Sequence, residues 1–473
     1  MYLTGDSDNL KFREFVLNVL SGLQILKCFG IYLGRTSLQA NPAFTSIGLE
    51  RTNGTLFGET LGILPNPKVW FAKILTWLST NPSILACSMN IVHVVYSCVP
   101  GRFRGGISKI VFELASAQRR AGHHVRVFST NIHGDGHWDQ DSSVVNEVEF
   151  RYFDEENKRW YSSRELNSAL SSLESVDVIH GHSPFLAPNV YARKAAAKHN
   201  AKLFYHTHGS LDGSLIANDP IVKRLRKRLY IGLLESRNYQ NADCLFANTN
   251  HEKSQIKHFF PNMDITVVPN GIKPIEPPTA EERNNQRRQR GWEDKFVVLF
   301  IGRIVVKKLV HTLVESIHLA SKNVPQIHLA IAGDPNQDVG YTARVKKTIS
   351  DLGLENRVEW LGFVDEEEKP KILGAADLFS HVTSSEGMPM SVLEAASAGL
   401  PVVVSDKCYL DDAVKAGALV ECSTDSSDLA ETITELASSP ELRESIGTTG
   451  RNFMIENRSW NTVADTIEKS YAG

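Results

Sequence analysis

From Met89 onward the chain alternates short, almost continuous apolar runs with longer segments whose apolar residues recur at helical spacing. Met89 to Val95 reads as a buried strand. Ile107, Val111 and Leu114 then fall at i, i+4 and i+7, one face of a helix that Gly122 ends, and Val125 to Phe128 starts the next apolar run. The unit recurs at Asp177 to His180, the Ala-rich segment Tyr191 to Lys198, Ala201 to Tyr205, and Asp243 to Ala247. Continuous apolar strands separated by helix-sized segments predict a parallel sheet covered on both faces. Pro269-Asn270-Gly271 breaks the pattern, and Lys273 to Arg290, rich in Pro, Glu, Asn, Gln and Arg without a strand-like run, reads as a linker. A second alternation follows at Phe296 to Gly302, Ile327 to Gly333, Val358 to Leu361, Ala376 to Ser380 and Pro401 to Ser405. The expected fold class is α/β, with two Rossmann-like domains whose parallel sheets face a central cleft. Open parallel sheets bind ligands beyond the carboxyl ends of their strands, so two facing domains would hold two substrates in one crevice.

Residues 1–88 break this regularity with Gly and Asn turns and weak periodicity. They read as an N-terminal extension, poorly ordered or not native to the protein, with the first domain beginning at Met89. Composition adds exclusions. With 51 Lys and Arg against 54 Asp and Glu, the chain has no overall signature of nucleic-acid binding. Six scattered cysteines without a CxxC pair fit neither a disulfide framework nor structural zinc, so a reducing compartment is expected. The best spanning candidate, Val16 to Tyr32, is interrupted by Gln24 and Lys27, and Asp6 and Asp8 stand where a secretory signal needs positive charge. A cytoplasmic protein, soluble or at the inner face of the cytoplasmic membrane, is the expectation.

The most informative stretch runs from Ser384 to Pro401, where Glu386 precedes Glu394 by eight positions. Its residues read as a Gly-containing loop at a strand end, then a helix starting near Pro389 whose free N–H groups and positive dipole end suit a diphosphate. On two glutamates alone, a capped amphipathic helix with a surface ion pair would be the plainer reading. Phe300-Ile301-Gly302-Arg303 ends another strand and Lys308 follows five residues later, so two cations can converge beyond that strand. The loop Pro100 to Gly106 links the first strand to its helix with glycines at 101, 105 and 106, where backbone can approach a ligand; it is not GxGxxG. His180-Gly181-His182 and His206-Thr207-His208 each follow a strand and raise the question of a metal, but no Asp, Glu or Cys cluster accompanies them, and no metal is expected. His180 reads as a buried structural histidine. Asp139-Gln140-Asp141 has the form of a metal-holding DxD element in a polar loop and reads as a solvated turn. Lys223 to Arg228 holds five basic residues among six, with Leu225, Leu229, Tyr230, Ile231, Leu233 and Leu234 around them, suiting either an anionic membrane surface or a solvated helix face.

With its Ala-rich tail and the following Gly399-Leu400-Pro401-Val402-Val403 strand, the Glu386 to Glu394 segment resembles the E-x7-E donor signature of glycosyltransferase family 4, retaining enzymes of the GT-B fold. The resemblance extends from about Met89 to the C-terminus through Gly105-Gly106, Val268-Pro269-Asn270-Gly271-Ile272, Gly302-Arg303 and Leu361-Gly362-Phe363-Val364. It implies an acceptor domain at 89–272, a donor domain at 273–455 and a C-terminal helix, 456–473, crossing back to the first. It also implies sugar transfer from a nucleotide-diphosphate sugar to a hydroxyl acceptor, in polysaccharide, lipopolysaccharide or glycolipid synthesis, with no cofactor and no metal. Glu386, with Gly387, Met388 and Pro389, would meet the donor sugar, and Glu394 the ribose. Arg303 and Lys308 would meet the diphosphate, with Gly105 and Gly106 beside it. The family usually has Glu-Lys-Gly where this chain has Lys307-Lys308-Leu309, which leaves open which lysine acts. His208, with His206 as rival, would sit near the reacting sugar. Three other readings compete: a nonhydrolysing sugar-nucleotide epimerase, a non-catalytic sugar-nucleotide-binding subunit, and a metal hydrolase using the His pairs.

Overall fold

The computed structural model describes residues 88–472, apart from 102, 104, 105, 134, 135, 183, 212–220, 222–224 and 226–229, together with two short strands nearer the N-terminus. The chain divides into two compact units, Met1–Cys87 and Ser88–Gly473. In the first, Ile31–Leu33 and Leu38–Ala40 pair antiparallel.

The second unit holds two large sheets and a short antiparallel pair, Ile132–His133 with Gly136–His137. The N-terminal sheet has eight strands: β1 (Asn90–Ser97), β2 (His124–Thr130), β3 (Ser142–Val145), β4 (Val148–Phe153), β5 (Val178–His182), β6 (Lys202–His206), β7 (Cys244–Ala247) and β8 (Ile265–Val267). Their spatial order is β8-β7-β6-β5-β1-β2-β4-β3, parallel throughout except for the edge pair β3 and β4. The C-terminal sheet has six parallel strands: β9 (Phe296–Ile301), β10 (Ile327–Ala332), β11 (Val358–Gly362), β12 (Leu378–His381), β13 (Val402–Ser405) and β14 (Val420–Cys422), in the order β11-β10-β9-β12-β13-β14. The central strands are apolar at nearly every position because both faces are covered: Ile327–Ala332 is buried throughout. In each sheet the chain runs outward from β1 or β9 first to one side and then to the other. Such a switch point leaves a crevice at the carboxyl ends of the strands.

Two stretches carry the chain between the halves. Val268 to Ile272 leaves the first sheet, and the Ile272 amide donates to the Arg458 carbonyl at 2.7 Å. A Cβ at Gly271 would lie 2.4 Å from the Trp460 ring, so only glycine lets these stretches pass. Helix Pro440–Arg458 ends there, and helix Trp460–Ala472 places Trp460, Val463, Ile467 and Tyr471 in the N-terminal core beside helix Gly106–Arg120.

The segment read as a linker is structured in its second half. Ala280–Arg290 is a helix, with Thr279 and Glu282 forming a reciprocal capping box and Gly291 closing it at φ 62°. Its polarity hid it, because it is anchored by guanidinium groups instead of an apolar stripe. Arg287 donates to the Ala375 carbonyl at 2.8 Å, the Trp292 carbonyl at 2.7 Å and Asp377 at 2.9 Å, while Arg283 reaches the other oxygen of Asp377 at 2.7 Å.

Candidate active site

At the carboxyl end of β9 the chain passes Gly302 and Arg303 into a tight 3-10 turn, Val306–Lys308, and Leu309 adopts φ 44° to start helix Val310–Ala320. The Lys307 carbonyl accepts from the Ser384 amide at 2.9 Å and from the Thr383 hydroxyl at 3.0 Å, which ties this turn to the loop after β12. The turn separates the two lysines. Lys308 is buried and its Nζ bonds a Glu386 oxygen and His381 Nε2, the latter at 3.0 Å; the more exposed Lys307 stands 3.9 Å from Glu386.

Burial alone would raise the Glu386 carboxyl pKa, but the His381 ring 3.9 Å away and the charges of Lys308 and Lys307 outweigh that and hold it far below the ordinary carboxylate range. Burial and the Lys308 charge lower His381 to about 4. At neutral pH the cluster therefore holds a carboxylate and a neutral imidazole. Arg303 is exposed at the same strand end and has no side-chain partner among the described residues.

After Glu386, Gly387 meets the opposite domain: a Cβ built on Gly209 would lie 2.9 Å from the Gly387 Cα. His208, at φ 50°, and Gly209, at φ 74°, form the facing turn beyond β6. Met388 is buried and its Sδ accepts from the Asn270 amide at 3.1 Å; Pro389 is the N-cap of helix Met390–Ser397. Glu394, buried on that helix, pairs with Lys369 at 3.0 Å and, across the domains, with Lys109 at 3.3 Å; Lys109 also bonds Glu366 at 2.7 Å. Lys109 lies in the first turn of helix Gly106–Arg120, so the glycine loop and the second glutamate meet through one ammonium. Gly106 is the first helical residue; Gly105 lies outside the described residues.

The structure thus gathers Glu386 and Lys308 in one cluster, sets Arg303 at the same strand end, and brings Gly387 against the His208 turn. Sequence reading did not reach His381, Lys109 or Lys369. His381 ends an apolar strand, and the two lysines stand 285 and 25 positions from Glu394 in the chain. Asp139, Gln140 and Asp141 are exposed in a loop, and most of the basic run Lys223 to Arg228 lies outside the described residues.

The HxH pairs belong to a larger group that includes His93 on β1. His93 and His180 each approach His182, and His206 stacks on His208 with ring centres 4.1 Å apart at 11°. Two trios, His93/His180/His182 and His182/His206/His208, bring one nitrogen each within 4.8 Å. Both nitrogens of His93 and of His182 are already hydrogen-bonded, and the near-parallel rings of His206 and His208 hold their lone pairs in two separate, stacked planes. The group is built as a hydrogen-bonded network. His180 is fully buried and bonded through Nδ1 to the Tyr471 hydroxyl at 2.7 Å, which fixes the last helix to the sheet.

Residues 105–271 match the glycosyl transferase 4-like domain, and residues 282–453 match glycosyl transferases group 1; together the two matches take in more than two thirds of the chain. Mannosylfructose-phosphate synthase of Agrobacterium fabrum is 33% identical over 133 residues, 27% of this chain and 29% of that protein. The chain therefore spans less than a third of that relative. A GDP-mannose-dependent α-(1-6)-phosphatidylinositol monomannoside mannosyltransferase of Mycolicibacterium smegmatis is 25% identical over 294 residues, 60% of this chain and 72% of that one. Among solved structures, Anabaena HepE in complex with UDP and glucose superposes with a TM-score of 0.63 at 20% identity, covering 81% of this chain and 99% of that one. Sucrose-phosphate synthase from Thermosynechococcus elongatus gives 0.66 at 19% identity, over 81% of this chain and 98% of the other. At these identities the structural likeness is one of fold, the two-domain GT-B arrangement.

Proposed function

Because the chain belongs to the group 1 glycosyl transferases of the 4-like type, we propose that it moves a sugar from a nucleoside diphosphate sugar to a hydroxyl acceptor with retention at the anomeric carbon. The observation that carries this reading is the buried Lys308, Glu386 and His381 cluster at the ends of β9 and β12, beside the exposed Arg303. When the bond from the anomeric carbon to the diphosphate breaks, negative charge grows on the phosphate oxygens. Fixed cations and the free N–H groups of helix Met390–Ser397 stabilise that charge without reorganising. Arg303 and Lys308 supply the cations, in place of a metal ion. The departing phosphate oxygen takes the proton of the acceptor hydroxyl, whose oxygen bonds the anomeric carbon from the same face.

Glu386, kept ionised by its cationic neighbours, accepts from hydroxyls of the transferred sugar. Glu394 has lone pairs beyond those engaged by Lys109 and Lys369 and accepts from the ribose hydroxyls. Gly387 and Gly209 let the two backbones close over the sugar. The acceptor is proposed to be a lipid-linked glycan or glycolipid, in keeping with the phosphatidylinositol mannoside named for the mycobacterial relative. Exposed Leu225 lies within the basic run Lys223 to Arg228, and exposed Ile221, Leu233 and Leu234 lie on either side of it, supporting a peripheral contact with the inner face of the cytoplasmic membrane. Among the described residues, no helix is long and apolar enough to cross a membrane.

The test is incubation with UDP-, GDP-, ADP- and dTDP-sugars and a glycolipid fraction, with and without chelator. NMR of the product anomeric proton against that of the donor reads the stereochemistry. Retained configuration, insensitive to chelator, is expected. Inversion, or epimerised donor without an acceptor, would overturn the reading.

A further inference from the structure

Four buried or half-buried side chains form one hydrogen-bonded line through the N-terminal sheet to the face opposite Gly387. The Gln118 Oε1 lies 2.7 Å from His93 Nε2, His93 Nδ1 lies 3.0 Å from His182 Nε2, and His182 Nδ1 lies 3.0 Å from His208 Nε2. Gln118, His93 and His182 have no exposed surface, and burial, the largest influence on each ring, lowers His93 to about 4 and His182 and His208 well below the ordinary value. Each ring is therefore neutral and carries a single N–H.

That constraint orders the whole line. An amide oxygen at Gln118 requires the proton of His93 on Nε2. The lone pair is then on His93 Nδ1, which accepts from Nε2–H of His182. His182 Nδ1 in turn accepts from Nε2–H of His208. In this orientation the amide Nε2 donates to the Tyr471 hydroxyl at 3.4 Å. What remains is a lone pair on His208 Nδ1, which has no partner among the described residues.

We propose that Gln118, His93 and His182 are positioning residues that fix His208 as its Nε2–H tautomer, so that Nδ1 accepts a hydrogen bond from a hydroxyl of the transferred sugar. The location supports this: the His208 carbonyl lies 3.6 Å from the position a Cβ would take on Gly387, in the loop assigned to the donor sugar. The sugar's role rests on the transferase reading above, whereas the tautomer does not.

The experiment therefore reads both. Nitrogen NMR of the ligand-free full chain with labelled histidine, assigned with His208→Gln, should place the His208 proton on Nε2 and leave Nδ1 bare. Gln118→Leu should turn this into a mixture of tautomers and lower kcat by roughly tenfold or more, the equivalent of one hydrogen bond lost in the transition state. KM for the acceptor should be unchanged. A wild-type His208 protonated on Nδ1 would overturn the proposal. So would a Gln118→Leu variant with the same tautomer or the same kcat, even with glycosyl transfer intact. Failure to transfer from any nucleotide sugar would sink the functional reading and leave the tautomer result standing.

Discussion

Replacing Lys308 by Met keeps the length of the buried side chain and removes its charge from Glu386 and His381. The Glu386 carboxyl is largely buried, and its remaining cation, Lys307, stands 3.9 Å away and is more exposed. An unpaired buried carboxylate costs several kcal/mol, more than the carboxyl loses by taking up a proton instead. Protonation at pH 7 of a group whose ordinary value is 4.5 costs about 3 kcal/mol, at 1.36 kcal/mol per unit, and this caps the penalty carried by the variant's carboxyl, to which the loss of the wild-type ion pair adds. The wild-type carboxyl is depressed, so the stability it contributes is present above 4.5 and lost below it, whereas the variant carboxyl is raised and is penalised increasingly as pH rises above 4.5. The difference between the two proteins should therefore shrink by about 1.4 kcal/mol per pH unit from pH 7 toward 4.5. Urea unfolding followed by tryptophan fluorescence, with Trp292 fully buried in the C-terminal core, measures it. Lys307→Met should cost under about 1 kcal/mol. Lys308→Met with Glu386→Gln should regain most of the stability, yet turn over at least about a hundredfold more slowly than wild type. Equal losses at the two lysines, or a double variant no more stable than Lys308→Met, would refute this reasoning.

Arg287→Leu should destabilise the C-terminal domain by about 3 to 5 kcal/mol, since it strips a buried partner from Asp377 and several carbonyls, while Arg288→Ala at the exposed face should stay within about 0.5 kcal/mol by the same unfolding assay. Gly209→Ala should lower kcat in a nucleotide-sugar turnover assay with little change in donor-domain stability, because its Cβ would meet the Gly387 backbone. Burial depresses His93, His206 and His381 to about 4 and His180, His182 and His208 further, so the stability these neutral rings contribute is intact above pH 6.5 and is lost as pH falls toward 4. Glu235, raised by burial to about 7, opposes them by one proton, and the net effect should be an acid transition with a slope of several kcal/mol per pH unit in denaturant titrations.

The central strands were readable because burial on both faces makes a strand such as Phe296–Ile301 apolar at every position. The edge hairpin Ser142–Val145 and Val148–Phe153 was not, since its exposed face carries Glu149 and Arg151 and breaks the apolar run. Helix Ala280–Arg290 escaped because hydrophobic periodicity does not register anchoring through guanidinium groups. At the candidate site, the motif residues Glu386, Glu394, Arg303 and Lys308 could be named from spacing and resemblance. Which of Lys307 and Lys308 is buried against Glu386 could not be read, because a single 3-10 turn buries one and not the other. His93 looked like one polar interruption in an apolar strand. Its meaning lies in neighbours 25 and 89 residues away, which the parallel sheet and its covering helix bring together.

The central claim, that the cleft side of the C-terminal domain holds a nucleoside diphosphate sugar, is tested most directly by calorimetric titration of UDP and GDP into the wild-type chain, Arg303→Ala and Glu394→Ala. One nucleotide should bind at a single site, with affinity reduced at least about tenfold in each variant, the loss of one charge-assisted contact. Binding of neither nucleotide to the wild type, or equal affinity in all three proteins, would contradict it.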